Sequence, residues 1–125
     1  MAFNYNYVTL VGRLTKDPDA SVHSDQLKVT FSLAIDRPYR CKDGGRDTDF
    51  IPIVVWGHSA EIARQFLRKG HPVLVSGRIQ VRSYEKDGDT RWMTEVSCIE
   101  FQLLLRKSAQ VNQEILLSNE SIESD

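Results

Sequence analysis

The stretch DFIPIVVWGHSAEIARQFLRKGHPVLVSGRIQVRSYE, residues 49–85, changes its apolar period twice. From Asp49 to Gly57, Ile51, Ile53 and Val55 alternate with their neighbours, the period-two pattern of a strand with one buried face. Phe50 and Trp56 fall together on the other face. Pro52 lacks a backbone donor, so it is expected at an edge, a bulge or an outward-facing site. From Ser59 to Lys69 the pattern turns helical, with Ile62, Ala63, Phe66 and Leu67 on one stripe. His58 or Ser59 is the expected cap. Arg68 and Lys69 suit the C-terminal end of the helix dipole, and Gly70 reads as a left-handed stop. From Pro72 to Glu85 period two returns. Val73, Val75, Ile79 and Val81 make its apolar row, and Leu74, Arg78, Arg82 and Tyr84 share the opposite row.

Working outward, Tyr5 to Leu14 is a first strand, with Val8, Leu10 and Leu14 alternating with polar or aromatic positions. Gly12 interrupts its side-chain row, as where a strand bends or another backbone comes close. Asp17-Pro18-Asp19 is a turn signal. Gln26 to Asp36 is a second strand, with Val29, Phe31, Leu33 and Ile35 on one face. The polar segment Pro38 to Asp49, containing Gly44-Gly45, predicts a mobile hairpin loop. Lys86-Asp87-Gly88-Asp89 predicts a tight hairpin turn, and Thr90 to Leu105 is a fifth strand long enough to bend. The expectation is an all-β fold with one helix: a five-stranded OB-fold Greek-key barrel, with the helix between strands 3 and 4. SH3-like barrels also have five strands but usually lack that helix.

The chain of 125 residues suits one domain. Residues 1–107 are the expected folded domain, and 108–125 a short acidic, disordered tail rich in Ser, Asn, Gln and Glu. Ile115-Leu116-Leu117 is the one apolar run in that tail. The tail carries Glu114, Glu120, Glu123 and Asp125 and no Lys or Arg. Residues 1–107 therefore hold all 16 basic residues against 13 acids, a net charge of +3, although the whole chain stands at -1. A mildly basic body with an acidic tail is an asymmetry that nucleic-acid partners favour, though many domains share it.

No apolar stretch approaches the ~20 residues of a membrane span. The opening MAFNYNYVTLVGR lacks the basic and apolar regions of a signal peptide, so the cytoplasm is the expected compartment. Cys41 and Cys98 are then expected as reduced thiols. His23, His58 and His71 have no metal-ligand spacing, so neither a metal nor another cofactor is expected. The chain contains no GxGxxG, P-loop, HExxH or GxSxG motif, and no histidine has an evident nucleophile partner. Asp47 and Asp49 lie in a polar loop, where acid pairs are usually solvated. Cys98 reads as core. An enzyme is not expected.

Chemistry is legible instead on the outer faces of two strands. Phe50 and Trp56 share one such face, and Arg78, Arg82 and Tyr84 share another. Exposed rings stack on any base, and arginines neutralise phosphates, so the combination suits single-stranded nucleic acid without sequence readout. Double strands hide the base faces. The bland reading is equally physical. Strand aromatics are more often core, Arg78 and Arg82 pair readily with Glu95 or Glu100 across the hairpin, and Trp92 is read as structural.

Several segments together resemble the bacterial single-stranded DNA-binding protein family. They are Val8-Thr9-Leu10-Val11-Gly12-Arg13-Leu14 with Lys16-Asp17-Pro18, Phe31-Ser32-Leu33-Ala34-Ile35-Asp36-Arg37, and Asp49-Phe50-Ile51 with Val54-Val55-Trp56. Ala60-Glu61, Phe66-Leu67-Arg68-Lys69-Gly70, Gly77-Arg78-Ile79-Gln80-Val81-Arg82-Ser83-Tyr84 and Thr94-Glu95-Val96 complete them. The resemblance covers about residues 3–107 and is strongest to Gram-positive versions. It implies an OB-fold, binding and protection of single-stranded DNA in replication, recombination, repair or DNA uptake, and a homotetramer. It implies stacking aromatics at Tyr39, Phe50, Trp56 and Tyr84, and basic contacts at Arg13, Arg37, Lys69, Arg78 and Arg82. It implies no cofactor and a cytoplasmic, nucleoid-associated protein.

Two departures stand out. The family's long linker and acidic tip ending in Phe recruit replication and repair proteins. Here the end reads Ser121-Ile122-Glu123-Ser124-Asp125, which puts that partner recruitment in question. Ile51 replaces a His found in some members. Two rival classes remain at this stage: an OB module that docks only onto proteins, and an RNA-binding OB domain.

Overall fold

The computed structural model describes residues 3–40 and 42–105. Cys41, the tail 108–125 and its Ile115-Leu116-Leu117 run lie outside the described residues. The elements in order are β1 (Val8–Leu14), β2 (Asp19–His23), β3 (Gln26–Arg40), β4 (Arg46–Trp56), α1 (Gly57–Phe66), β5 (Pro72–Lys86) and β6 (Asp89–Leu103).

The strands run in the order β1-β5-β6-β4-β3-β2, and a further pairing of β1 with β3 closes five of them into a barrel. The β4–β6 ladder is parallel and the others are antiparallel. This is the OB-fold. Five strands close the barrel as expected. A sixth, β2, lies outside the ring along the first half of β3. Sequence reading stopped at the Asp17-Pro18-Asp19 turn and missed β2, whose five residues are all exposed and show no period. With β2 counted, the helix falls between β4 and β5, the same place in the chain.

Side-chain alternation explains the core. Leu14, Val29, Phe31, Leu33, Ile53, Val55, Val73, Val75 and Val96 point inward and are buried, with Ala60, Ala63 and Leu67 plugging one end. Roughly 1.5–3 kcal/mol accompanies full burial of each large side chain, so this row carries the fold. The two glycines that matter sit where backbones nearly touch. A Cβ on Gly12 would lie 2.6 Å from the Ala34 carbonyl oxygen, where β1 closes on β3. A Cβ on Gly77 would lie 2.1 Å from the Ser97 oxygen, beside the register shift between β5 and β6. Pro52 sits opposite Ser32, just outside the short parallel ladder of Ile53 and Val54 with β6, where its missing donor removes no bond to β6.

Four expectations are corrected. The helix spans Gly57–Phe66 rather than Ser59–Lys69, and Trp56 stands at its N-cap without a side-chain cap bond. Its buried residues are Ala60 and Ala63, followed by Leu67 at the C-cap, while Ile62 and Phe66 are exposed, because the face turned to the barrel is the one that carries Ala60 and Ala63. The segment after Pro38 is largely strand: β3 and β4 pair as far as Arg40 and Arg46, beyond a register shift. The row Ile79 and Val81 is exposed, because the β5–β6 hairpin runs on past the barrel to the Lys86–Asp89 pair and has nothing to cover it. The turn there is as expected, with Asp87 and Gly88 both at positive φ (54° and 80°).

Candidate nucleic-acid interface

Registers locate the candidate residues on one surface. Arg78 pairs with Ser97, Ser97 lies beside Val54, Val54 pairs with Thr30, and Thr30 pairs with Asp19. Laterally paired residues point the same way. Arg78 therefore shares a face with Val54, and by alternation with Phe50 and Trp56 on β4 and with Arg82 and Tyr84 on β5. A second row, Arg13–Ala34–Phe50, brings Arg13 of β1 onto the same outer surface. The two patches read separately from sequence are one.

Both rings on β4 stand clear of the core, Phe50 at 64% exposed and Trp56 at 37%. Between them Val54 is buried, and on β6 of the same face so is Glu95, so the surface is recessed there. Tyr84 is exposed on the far hairpin, across from Arg91. Tyr39 is exposed near the end of β3, on a strand rather than in a loop.

The cations differ in how free they are. Arg78 makes no ion pair or side-chain hydrogen bond among the described residues. Arg82 donates from Nε to buried Glu95 Oε1 at 3.2 Å, the cross-strand pairing that the bland reading allowed. Arg37 is the most engaged. Its Nη2 and Nε donate to Asp49 at 2.8 and 3.1 Å, and its Nη1 to the Tyr39 hydroxyl at 3.4 Å. Those bonds raise the Arg37 guanidinium further and hold the Asp49 carboxyl below the usual carboxylate range. Arg37 thus ties Tyr39 to β4 more than it offers charge. Arg13 donates from Nη1 to the Gly70 carbonyl at 3.0 Å, and the Lys69 backbone N–H donates to Asp17 at 2.8 Å. Those bonds fix the turn after α1 beside Arg13 and leave Lys69 exposed on it.

Sequence reasoning missed two things. Trp92, read as structural, is 71% exposed, on the hairpin face opposite Tyr84. His23 and Lys28 stand against Trp56; neither was placed beside that ring, because β2 was not recognised and the register of β3 on β4 is not written in either strand's own period. No cluster of His, Cys, Asp and Glu able to hold a metal occurs among the described residues.

An OB barrel with rings and cations spread over the outer faces of β5, β6, β4 and β3 defines a class, the nucleic-acid-binding OB-fold domains. Residues 5–104 match the model of the single-strand binding protein family, and the chain belongs to that family. Its relatives include a single-stranded DNA-binding protein of Clostridium tetani, 48% identical over 102 residues, covering 79% of this chain and 70% of the relative. One from Caldanaerobacter subterraneus is 47% identical over 105 residues, 82% of this chain and 70% of the relative. Single-stranded DNA-binding protein 2 of Streptococcus agalactiae is 36% identical over 117 residues, 93% of this chain and 89% of the relative.

Proposed function

We propose that this chain binds and protects single-stranded DNA without sequence preference, by stacking bases on Tyr39, Phe50, Trp56 and Tyr84 and neutralising phosphates with Arg13, Arg37, Lys69, Arg78 and Arg82. The observation that carries this reading is the single row-aligned face joining Phe50 and Trp56 to Arg78, Arg82 and Tyr84. The relatives are named as single-stranded DNA-binding proteins, which favours DNA over RNA. The service is in replication, recombination, repair or DNA uptake, in the cytoplasm at the nucleoid, by binding rather than catalysis. Among the described residues no helix is long and apolar enough to cross a membrane.

The working form is a homo-oligomer, a tetramer. Two features support it. Val8–Gly12 pairs with β5 alone and leaves its other edge open. Ile79, Val81 and Trp92 form an exposed apolar row along one face of the protruding hairpin. Open edges and apolar rows invite a partner copy.

The decisive test is tryptophan fluorescence during titration with oligo(dT), at low and then high salt. The expected result is strong quenching that weakens as salt rises. Unchanged fluorescence and no gel shift would move the assignment to an OB module that docks on proteins.

A further inference from the structure

The β2–β3 hairpin holds an arrangement around Trp56 that the interface described above does not use. Its turn is two residues, Ser24 and Asp25, both at positive φ (51° and 65°). Such a turn follows the twist of the strands and fixes their register. His23 therefore faces Gln26, Ser21 faces Lys28, and Lys28 in turn stands directly opposite Trp56 on β4. All five side chains share the outer face. Lys28 Nζ lies 5.5 Å from the centroid of the indole ring. The His23 ring meets the same indole edge-on, with centroids 6.1 Å apart and planes at 79°. One ring is thus engaged by a cation and an imidazole from two other strands.

Lys28 makes no ion pair among the described residues. Asp19 lies on the same face but a row beyond Ser21, opposite Thr30, and Asp25 lies in the turn. With no carboxylate paired to it, the ammonium rests on the ring, a weak attraction at an exposed site. A phosphate oxygen is the stronger partner. Trp56 stays partly exposed, so the same ring can take a base.

We propose that Trp56, Lys28 and His23 form one nucleotide subsite that extends the single-strand path onto the β2–β3 hairpin. A base stacks on the indole, Lys28 moves from the ring to the adjoining phosphate, and His23 is a positioning residue that holds the indole's orientation. The subsite rests on reading Trp56 as a stacking ring. It lengthens the track by one strand spacing, about 5 Å, from Trp56 on β4 to Lys28 on β3.

The test uses the full chain carrying Trp92→Phe, so that Trp56 is the remaining indole reporter. Oligo(dT) is titrated at several salt concentrations. Lys28→Gln should make the dependence of log K on log salt shallower by about 0.7, one phosphate contact on a single strand. His23→Ala should leave that slope unchanged and weaken binding roughly 2- to 10-fold, the worth of an edge-to-face ring pair. His23→Phe, which keeps a ring there, should restore affinity. Either Lys28→Gln with an unaltered slope or His23→Ala with unaltered affinity overturns the subsite. Trp56→Ala, made with Trp92 kept and read by gel shift of the same oligo(dT), separates the platform from the subsite. A loss of roughly 5- to 150-fold keeps the stacking platform even when the hairpin variants fail. Wild-type binding by Trp56→Ala removes platform and subsite together.

Discussion

Phe50 and Trp56 are spaced about 20 Å apart along β4, six strand residues at about 3.3 Å each, so the proposed stacking would place separate bases on them rather than one. Both rings project from the barrel, and truncating either leaves the buried row of Ile53 and Val55 intact. Phe50→Ala is therefore expected to weaken oligo(dT) binding by ~1–3 kcal/mol with an unshifted urea midpoint, read by fluorescence and circular dichroism. The arginines divide by their partners. Arg78 is unpaired among the described residues, whereas Arg37 is held by Asp49 and Tyr39. Arg78→Ala should flatten the salt dependence by about one phosphate's worth, and Arg37→Ala should flatten it less. Equal effects would mean that Asp49 releases Arg37 on binding. Cys98 is a different case. Burial first, and then Glu100, push its thiol up to about 11. The thiolate is the reactive form, so at pH 8 the Cys98 peptide should stay largely unlabelled by iodoacetamide in the native protein and label readily in urea.

Among the elements, the β5–β6 hairpin presents two unlike faces. One carries Arg78, Arg82 and Tyr84, and the other carries Ile79, Val81 and Trp92. The hairpin leaves the barrel at Gly77, where a side chain would drive a Cβ into the Ser97 backbone at 2.1 Å. That neighbour is backbone and cannot step aside. Gly77→Ala is expected to lower stability by roughly 1–3 kcal/mol, as overpacking does, measured as a lower denaturant midpoint. Val81→Glu acts on the opposite face. It should leave the barrel folded and shift sedimentation velocity towards smaller species. An unchanged distribution would assign the apolar row to something other than self-association.

At the scale of the whole molecule, a body of net charge +3 meets an acidic segment in one chain. Deleting residues 108–125 removes Glu114, Glu120, Glu123 and Asp125. Affinity for oligo(dT) should stay the same or rise, because those acids compete for the cationic face. A fall would assign a binding role to the segment. The barrel supplies what the interface needs from a scaffold. Every strand of the ring has neighbours on both sides over part of its length, so rings and cations sit on backbone that does not have to be ordered when DNA arrives.

Local pattern alone determined the ring of strands, the place of the helix, the tight Asp87-Gly88 turn and the sharing of one strand face by Phe50 with Trp56 and by Arg78 with Arg82. Each follows from period or turn chemistry within a few residues, which a chain carries wherever it folds. The family resemblance added the binding roles of Tyr39, Arg13, Arg37 and Lys69, which no local pattern assigns. Tertiary structure decided what depends on partners distant in sequence. It joined β4 and β5 through β6 into one surface, and it turned Ile79, Val81 and Trp92 outward once the hairpin outran the barrel. It also assigned Arg37 to Asp49 and placed an unrecognised strand so that His23 and Lys28 meet Trp56. Alternation states which residues share a face of one strand. Only the registers between strands state which faces meet, and those are set by the closure of β1 on β3 at Gly12 and the β5–β6 register shift at Gly77, where backbones approach too closely for any side chain.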